Sequence, residues 1–499
     1  MKVLMIGQHV NFFRSLDSVM RELCRRGHEV VFLHGTRLDD ERVRAKITKD
    51  ASKKRLLGRG LQAVQSEIAG VTSGYRPEPD EPWPLRLRVG RQVINRGIYF
   101  RKGHPSPDRV VEGIERSLPA GLQQKVRTPA WRMALGTRSA LSVWRWIEAA
   151  SPPSETLLRL LREIDPDVVL VSPTIWPKDP VEADYLHAAR TLGIPTIGFI
   201  NSWDNLTSKG TVHVVPDLFI VWNEPMAIEA AEIHDVPKET IRITGAPHLD
   251  AFFLLRPRMS RQEVCAQMGC PDGPYMVFLC SSRTIWENEI GMVKAMADAL
   301  AREYLAGPKR AAASHAPTLV VRPHPTNPGV FKAFSYPGVV VHPKDGDQAD
   351  SSASWQEYYD QLSHATCVFG LNTTAFLEAV MANRPCLTIV SEAYWRAQGR
   401  TGHFRHLLKG DFLEVCSDMD DLAAHVRRIL EGADEKAEGR RGFTRWFLRP
   451  CGLDTPAGEV VADVIESAAQ PRGGVAPISD GARRRSVPGL TLASEGIGR

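Results

Sequence analysis

The chain contains no hydrophobic run approaching the roughly 18 to 20 residues that a membrane-spanning helix needs. Its 499 residues are 43% hydrophobic and 24% charged, which is typical of globular proteins. The apolar stretch at the amino terminus is short and leads into Gln8, His9 and Asn11, so no secretion signal is predicted. We therefore expect a soluble, cytoplasmic protein.

Several chemical signatures are also missing. The eight cysteines are scattered, with no Cys-x-x-Cys pair and no histidine partner at zinc spacing, which predicts buried, reduced thiols. No Gly-x-Gly-x-x-Gly turn or P-loop follows a predicted strand, so a dinucleotide oxidoreductase and a P-loop NTPase are disfavoured. No Asp-x-Asp pair after a predicted strand is available to hold Mg²⁺ and a diphosphate. We expect neither a metal nor an organic cofactor.

Positive charge is concentrated in one part of the chain. Between Arg76 and Arg145, twelve arginines and two lysines stand against six acidic residues, a local charge of +8 in a chain whose formal charge is +5. With four tryptophans in or beside it, this stretch would suit an anionic lipid headgroup or a lipid diphosphate at a membrane surface. A helical lid with a solvated basic face fits equally well. RNA binding is a weaker option, and nucleic acid is not an expected partner.

Alternating strand and helix patterns predict parallel sheets. Residues 1–7 form an apolar run that ends in glycine, residues 16–23 carry apolar side chains at helical spacing, and residues 29–33 form a second apolar run. In such a unit the ligand-facing loops lie at the carboxyl ends of the strands. The loop from Gln8 to Arg14, which contains His9, is the first of these loops.

The same alternation predicts the domain organisation, an α/β fold. It lapses over residues 36–153, which indicates a basic, mostly helical insertion, and a second series of strands and helices begins at residue 275. We predict two doubly wound, Rossmann-like domains, residues 1–250 and 251–466, that face each other across a cleft. The tail over residues 467–499 is rich in Gly, Pro, Ser and Arg and is predicted to be disordered.

The most informative segment is a predicted strand that runs directly into a helix start near residue 370. Gly370 permits the close approach of another backbone, while Asn372, Thr373 and Thr374 supply polar groups at a helix terminus whose dipole favours a diphosphate. Glu378, one turn further on, could accept hydrogen bonds from ribose hydroxyls. An ordinary capped helix with an exposed glutamate is the alternative.

Two further loops of the second domain carry groups suited to phosphate. Prolines on both sides of His324 stiffen the loop after Arg322, so the arginine can pair with phosphate and the histidine can donate a hydrogen bond or a proton to it. The loop of Ser281, Ser282 and Arg283 follows the domain's first strand and suits a diphosphate. A stiff turn and a solvated surface charge are the corresponding alternatives.

The first domain offers a polar loop from Asn201 to Gly210 on the other side of the predicted cleft. Asp204 could be the base that deprotonates an acceptor hydroxyl, with Trp203, Asn205 and Lys209 in contact with the acceptor. His9 is the rival base, and Gln8 and Arg14 would join the acceptor site from the same loop as His9. The alternative is an Asx-type turn whose side chains serve only the local backbone.

In this order the motifs resemble those of the GT-B superfamily of glycosyltransferases. The strand, glycine, small hydroxyl residues, Glu-Ala and the turn Asn383-Arg-Pro385 are similar to their donor site, which implies that Asn372, Thr373 and Thr374 hold phosphate and Glu378 holds ribose. Many members carry glycine where this chain has Asn383, and asparagine also tolerates positive φ.

Two other motifs carry the resemblance further. Arg322-Pro-His-Pro325 resembles an element of capsule glycosyltransferases and of teichoic-acid-type CDP-glycerol glycerophosphotransferases, whose histidine serves the donor phosphate. The run Ser-Trp-Asp-Asn-Leu from residue 202 resembles a segment of envelope-polysaccharide enzymes.

The resemblance implies a metal-independent glycosyltransferase. It would move a sugar from a nucleotide-activated donor to a saccharide or lipid-linked acceptor in cell-surface polysaccharide or glycolipid synthesis, with peripheral contact at the inner face of the cytoplasmic membrane. Asp204 or His9 would activate the acceptor, while Arg322 and His324 meet the leaving-group charge. Three alternatives stay open: a CDP-polyol phosphotransferase, a nucleotide-sugar 2-epimerase and a non-catalytic GT-B-like binding protein.

Overall fold

The computed structural model describes residues 1–35, 68–101, 104, 108–176, 180–283, 285–306, 316–325, 327–346 and 352–470. Within this part of the chain, residues 1–469 form one compact unit. The predicted disordered tail beyond residue 470 and residues 36–67 of the predicted insertion lie outside the described residues.

The first sheet has seven parallel strands in the order β3-β2-β1-β4-β5-β6-β7. Its central strands are apolar along their whole length because helices cover both faces, and the buried side chains of β1 and β4 belong to the cores on the two sides of the sheet. The strands are β1 (Lys2–Gly7), β2 (Glu29–His34), β3 (Val71–Tyr75), β4 (Val168–Ser172), β5 (Thr196–Phe199), β6 (Leu218–Val221) and β7 (Ile241–Ile243).

The helices of this half include those of the basic insertion. They are α1 (Asp17–Arg25), α2 (Pro82–Ile98), α3 (Asp108–Ser117), α4 (Ala120–Lys125), α5 (Pro129–Leu135), α6 (Arg138–Ala150), α7 (Glu155–Ile164), α8 (Glu182–Thr191), α9 (Asn205–Ser208), α10 (Glu224–His234) and α11 (Asp250–Phe253), with 3₁₀ turns at Val10–Leu16, Lys238–Thr240 and Pro247–Leu249. Local sequence sets their ends: the Ser154 hydroxyl accepts the Leu157 N–H at 3.3 Å to cap α7, and Asp165 ends that helix at a φ of 50°.

A buried ion-pair cluster fixes the insertion on the first domain. Arg91 of α2 is fully buried and donates to Glu148 of α6 at 2.7 Å and to Asp184 of α8 at 2.7 Å. The arginine and the two carboxylates compensate one another's charge in the protein interior, where water cannot solvate them. The described part of the insertion is mostly helical, as expected, and it also contains β3, an edge strand that was not predicted from the sequence.

The second sheet has six parallel strands in the order β10-β9-β8-β11-β12-β13. The strands are β8 (Tyr275–Leu279), β9 (Thr318–Arg322), β10 (Val339–Val341), β11 (Cys367–Phe369), β12 (Cys386–Ile389) and β13 (Leu413–Cys416). The helices are α12 (Arg261–Met268), α13 (Ile290–Ala306), α14 (Ser352–His364), α15 (Ala375–Met381), α16 (Trp395–Gln398), α17 (Phe404–Lys409), α18 (Met419–Leu430), α19 (Ala437–Phe443) and α20 (Ala457–Ala469), with 3₁₀ turns at Pro328–Phe331, Glu392–Tyr394 and Gly399–Thr401 and a π turn at Thr444–Leu448.

The terminal helix α20 returns to the first sheet. Its buried side chains join the apolar cluster of β1 and α1, and Glu466 accepts from Arg26 at 2.8 Å. Asp250 holds the start of the helix by accepting the Ala457 and Gly458 N–H groups at 3.0 and 2.7 Å. The helix runs to Ala469, past the predicted domain end at residue 466.

The two doubly wound parallel sheets confirm the predicted fold class. The boundary at residue 250 stays a prediction. Among the described helices, none has the length and apolar character needed to cross a bilayer.

Candidate functional site

A cavity of about 400 Å³ lies where loops from the carboxyl ends of the two sheets meet. The first sheet contributes the loop after β5, and the second contributes the loops after β8, β9, β11 and β12. The predicted site residues that line this cavity are Trp203, Asp204, Lys209, Ser282, Arg322, His324, Asn372, Thr373, Thr374 and Glu378. The predicted residues outside its lining are Gln8, His9, Arg14, Asn205, Ser281, Arg283 and Gly370.

Glu378 and Arg322 are charged residues on the part of the cavity wall that the second domain forms. Burial raises the pKa of Glu378 to about 7, against the opposing charge of Arg322, and its Oε2 atom has no hydrogen-bond partner among the described residues. The Arg322 guanidinium lies 4.2 Å from the Tyr358 ring centre and donates to Gln361 Oε1 at 3.0 Å. Arg322 is thus a cation held in a fixed orientation by α14.

His324 lines the cavity in a neutral state. Burial lowers its pKa to about 4, so at neutral pH the ring offers one N–H donor and one acceptor rather than a positive charge. The predicted transfer of a proton to phosphate therefore requires the ligand itself to raise this pKa.

The loop after β8 contains three residues that were predicted to contact a diphosphate, and the structure places them differently. Ser282 lines the cavity, whereas Ser281 is buried and its N–H donates to both carboxylate oxygens of Glu289 at 3.1 Å. Arg283 is 65% exposed and pairs with Glu287, four residues further along the chain, at 3.0 Å. Of the three predicted residues of this loop, Ser282 is the one that lines the cavity, because Glu289 holds the Ser281 N–H and Arg283 is exposed to solvent.

The loop after β11 connects the two domains. Thr374 Oγ1 accepts from the Trp203 indole N–H at 3.2 Å, and the Thr373 hydroxyl accepts the Ala375 N–H at 3.3 Å. A Cβ on Gly370 would lie 2.9 Å from the Thr373 methyl, so this glycine serves close packing under the loop. Asn383 adopts a φ of 54°, as expected for the residue that replaces glycine.

Asp204 faces the cavity, while its neighbour Asn205 turns into its own loop. The Asn205 side chain accepts the Ser202 N–H at 3.1 Å, so it serves the local backbone as in the alternative, although the bond runs three residues back and is not an Asx turn. Asp204 accepts from the Ser208 hydroxyl at 2.9 Å and lies 3.5 Å from Lys209 Nζ. Burial alone would raise the pKa of Asp204, but the nearby positive charge and hydrogen bonds outweigh it and hold that pKa well below its usual range. Such a carboxylate accepts hydrogen bonds well but is a weak proton acceptor.

The loop after β1 lies outside the cavity lining. His9 stacks on Phe12 with a centroid distance of 6.1 Å and meets the edge of Trp176 at 5.8 Å. Burial and the charge of Arg76 lower its pKa. Gln8 is buried at the end of β1, and Arg14 lies in the 3₁₀ turn Val10–Leu16. The predicted acceptor residues of this loop are therefore not brought to the cavity with Asp204.

Several lining residues were not predicted. Trp355 and Tyr358 reach the cavity from α14, Thr401 and His403 from the loop after β12, and Val110 from the insertion helix α3. The loop of residues 390–403 has no strand or helix period, so periodicity could not mark it. The one available signal was its position after a buried strand of the second sheet.

The described residues offer one group with metal-ligand chemistry, Cys416, Asp421 and His425, whose ligand atoms lie within 4.8 Å of one another. Both ring nitrogens of His425 already face carboxylates, at 3.2 Å from Glu414 and 3.1 Å from Asp421. An Asp-x-Asp pair, residues 418–420, follows β13, a strand that was not predicted from the sequence. Its first member, Asp418, caps α18 by accepting two backbone N–H groups at 3.0 and 2.9 Å. None of these residues lines the cavity.

Comparisons with known proteins give similarity of fold at low identity. No protein-family model and no curated protein sequence matches the chain. A UDP-GlcNAc 2-epimerase from Methanocaldococcus jannaschii is 12% identical with a TM-score of 0.49, covering 94% of this chain and 100% of its own. A glycosyltransferase from Rickettsia africae is 8% identical with a TM-score of 0.49, covering 94% and 99%. The Anabaena protein HepE, solved with UDP, is 10% identical with a TM-score of 0.44, covering 94% and 100%.

Proposed function

We propose that this protein is a glycosyltransferase that moves a sugar from a nucleotide-sugar donor to a hydroxyl acceptor in cell-surface polysaccharide or glycolipid synthesis. One observation carries the proposal. Arg322 was selected from one sequence motif and the loop 372–374 with Glu378 from another, and all of them line one cavity with Asp204.

The donor would bind against the second domain. Arg322 is oriented to meet a diphosphate, with Ser282 and the N–H of His324 as further donors. Glu378 Oε2, which has no hydrogen-bond partner among the described residues, would accept a hydrogen bond from a ribose hydroxyl. These groups would stabilise the departing nucleotide diphosphate without a metal ion.

The acidic side chains favour transfer over epimerisation. A nucleotide-sugar 2-epimerase needs several acids near the sugar, whereas Asp204 and Glu378 are the only acidic side chains among the described residues that line the cavity. With Glu378 placed at the ribose, Asp204 is the one acid left beside the sugar among the described residues that line the cavity. A CDP-polyol phosphate donor uses the same phosphate contacts and is the second candidate.

The insertion supplies a route for a lipid-linked acceptor. Its helices expose Met133 and Trp146 at 77% and 71%, alongside Arg138 at 71%, and Val110 of α3 reaches the cavity wall. Apolar and cationic side chains on one insertion suit peripheral contact with an anionic membrane surface on the cytoplasmic side.

Product analysis tests the proposed reaction. Purified protein is incubated with UDP-sugars, other nucleotide sugars or CDP-glycerol, each with and without a membrane extract as the acceptor source. Acceptor-dependent release of nucleoside diphosphate with labelled sugar in the extract supports glycosyl transfer. Release of nucleoside monophosphate would indicate polyol phosphate transfer. An altered sugar without any acceptor would overturn the proposal in favour of an epimerase, and binding without turnover would indicate a non-catalytic protein.

A further inference from the structure

The cavity wall contains a buried histidine nitrogen that the proposed donor contacts leave unused. His403 is 7% exposed and lines the cavity, and its Nδ1 atom has no hydrogen-bond partner in the described part of the chain. A buried polar atom without a partner lowers stability, and on a cavity wall a ligand can supply the missing hydrogen bond. The question is whether this nitrogen donates or accepts.

A chain of hydrogen bonds fixes the tautomer of His403. The Thr401 hydroxyl donates to the Gln398 carbonyl at 2.7 Å, and so its oxygen must accept from Asn372 Nδ2 at 3.0 Å. The carbonyl at the end of the chain prevents the reverse direction. The same amide nitrogen lies 3.4 Å from His403 Nε2, and it can only donate. Nε2 is therefore the acceptor of the ring, and the proton lies on Nδ1.

The first domain fixes the surroundings of this N–H. The Trp203 ring meets the His403 ring edge to face at 4.8 Å, which limits rotation of the imidazole. Burial lowers the pKa of His403, opposed by the negative charge of Asp204, so the ring is neutral at physiological pH. The charge of Asp204 acts on the His403 ring, and Asp204 also lines the cavity.

An alcohol hydroxyl can accept a hydrogen bond from an N–H group and donate one to a carboxylate at the same time. A hydroxyl has one hydrogen to give and lone pairs that accept, whereas a phosphate oxygen only accepts and would be repelled by the carboxylate. Lys209 lies 3.5 Å from Asp204 and partly offsets that repulsion, but the carboxylate remains an acceptor that a phosphate cannot use.

We propose that His403 Nδ1–H and the Asp204 carboxylate together bind one hydroxyl of the sugar carried by the nucleotide donor. The hydroxyl accepts from the histidine of the second domain and donates to the aspartate of the first domain. No proton is transferred and no bond is made or broken, so His403 is a residue for sugar recognition and orientation. This inference rests on the proposed function, because it assumes a nucleotide-sugar in the cavity.

Two substitutions at one position separate the donor role from a merely structural one. The amide nitrogen of asparagine lies near the position of histidine Nδ1, whereas that of glutamine lies near Nε2. In His403→Asn the N–H to the sugar is kept, and in His403→Gln it is moved. We expect His403→Gln to lose about tenfold in affinity for UDP-sugar, the effect of one hydrogen bond. His403→Asn should stay within about threefold of the parent protein, within the energy of a weakened hydrogen bond.

The comparison of UDP-sugar with UDP identifies which part of the donor is bound. Calorimetric titration of UDP alone should give the same affinity for all three proteins, and Asp204→Asn should likewise weaken only the UDP-sugar. If the parent protein prefers another nucleotide, its diphosphate and its sugar conjugate replace UDP and UDP-sugar. An equal loss for both ligands would indicate a phosphate contact and overturn the inference, as would equal losses in His403→Asn and His403→Gln.

Nitrogen NMR of the ligand-free protein gives a second readout. With ¹⁵N-labelled histidine, and His403→Gln to assign the signal, His403 should show a protonated Nδ1 and an unprotonated Nε2. A proton on Nε2 would overturn the inference even if nucleotides bind. Failure of every nucleotide and nucleotide-sugar to bind the parent protein would overturn the proposed function, and the sugar contact with it.

Discussion

The two domains bury charge in different ways, and the difference separates structural residues from ligand-binding ones. In the first domain Arg91 lies between Glu148 and Asp184, and Arg76 pairs with Glu182 at 2.6 Å. On the cavity wall of the second domain, burial raises the pKa of Glu378 to about 7 despite the charge of Arg322, and its Oε2 atom has no hydrogen-bond partner among the described residues. Paired buried charges hold elements together, whereas an unpaired one lowers stability and persists where a ligand completes it.

The largest effect should come from breaking the ion-pair cluster of the first domain. In Arg91→Ala, Glu148 and Asp184 lose the cation that compensates them inside the protein. We expect a loss of about 3 to 5 kcal/mol in the free energy of unfolding, measured by urea denaturation at pH 7. Nucleotide affinity of the protein that remains folded should be unchanged.

Arg127→Ala is the matched control within the same insertion. Arg127 is 66% exposed and pairs with Glu115, so its removal should cost less than about 1 kcal/mol. If Arg91→Ala costs no more than this control, the cluster does not hold the insertion to the domain. The buried ion pairs of the first domain would then contribute no more to stability than an exposed pair.

Glu378→Gln should change the free energy of unfolding by a smaller amount and in the opposite direction, stabilising the protein at high pH. The pKa of Glu378 is about 7 in the folded protein and near 4.5 when unfolded, so the folded state binds the proton more tightly. The parent protein therefore loses stability as pH rises from about 4.5 through 7, and glutamine removes that loss. We expect Glu378→Gln to be more stable than the parent by roughly 3 kcal/mol at pH 8 and equally stable at pH 4.

The same substitution should weaken nucleotide binding, because the amide cannot replace a carboxylate that accepts from ribose. Urea denaturation at the two pH values, with a nucleotide titration at pH 8, measures both effects. If Glu378→Gln destabilises the protein equally at both pH values, the carboxylate serves the fold rather than a ligand.

The sequence predicts the fold well because buried parallel strands are continuous apolar runs. The two strands that were missed depart from that pattern. β3 has the sequence Val-Thr-Ser-Gly-Tyr at a sheet edge, and β13, at the edge of the other sheet, is buried only at its first and last residues. In both cases the pairing partner, rather than the local sequence, determines the strand.

The site is predictable only in part. Arg322, Asn372 and Glu378 could be identified because each follows a strand of one sheet, and the ends of parallel strands meet at one edge. The direction of a loop side chain has no such rule, so Ser281 and Asn205, which turn inward, were grouped with Ser282 and Asp204. His403 was missed because its hydrogen bond partner, Asn372, is distant in sequence.

The most direct test of the account is whether the cavity binds a nucleoside diphosphate through Arg322. UDP and the other nucleoside diphosphates are titrated by calorimetry into the parent protein, into Arg322→Ala, and into Arg302→Ala, whose arginine is 60% exposed on α13 and pairs with Asp420. We predict binding of at least one nucleotide, a loss of about tenfold or more in Arg322→Ala, as expected for a charge-assisted hydrogen bond, and no loss in Arg302→Ala. Binding that Arg322→Ala leaves intact, or no binding of any nucleotide, would contradict the account.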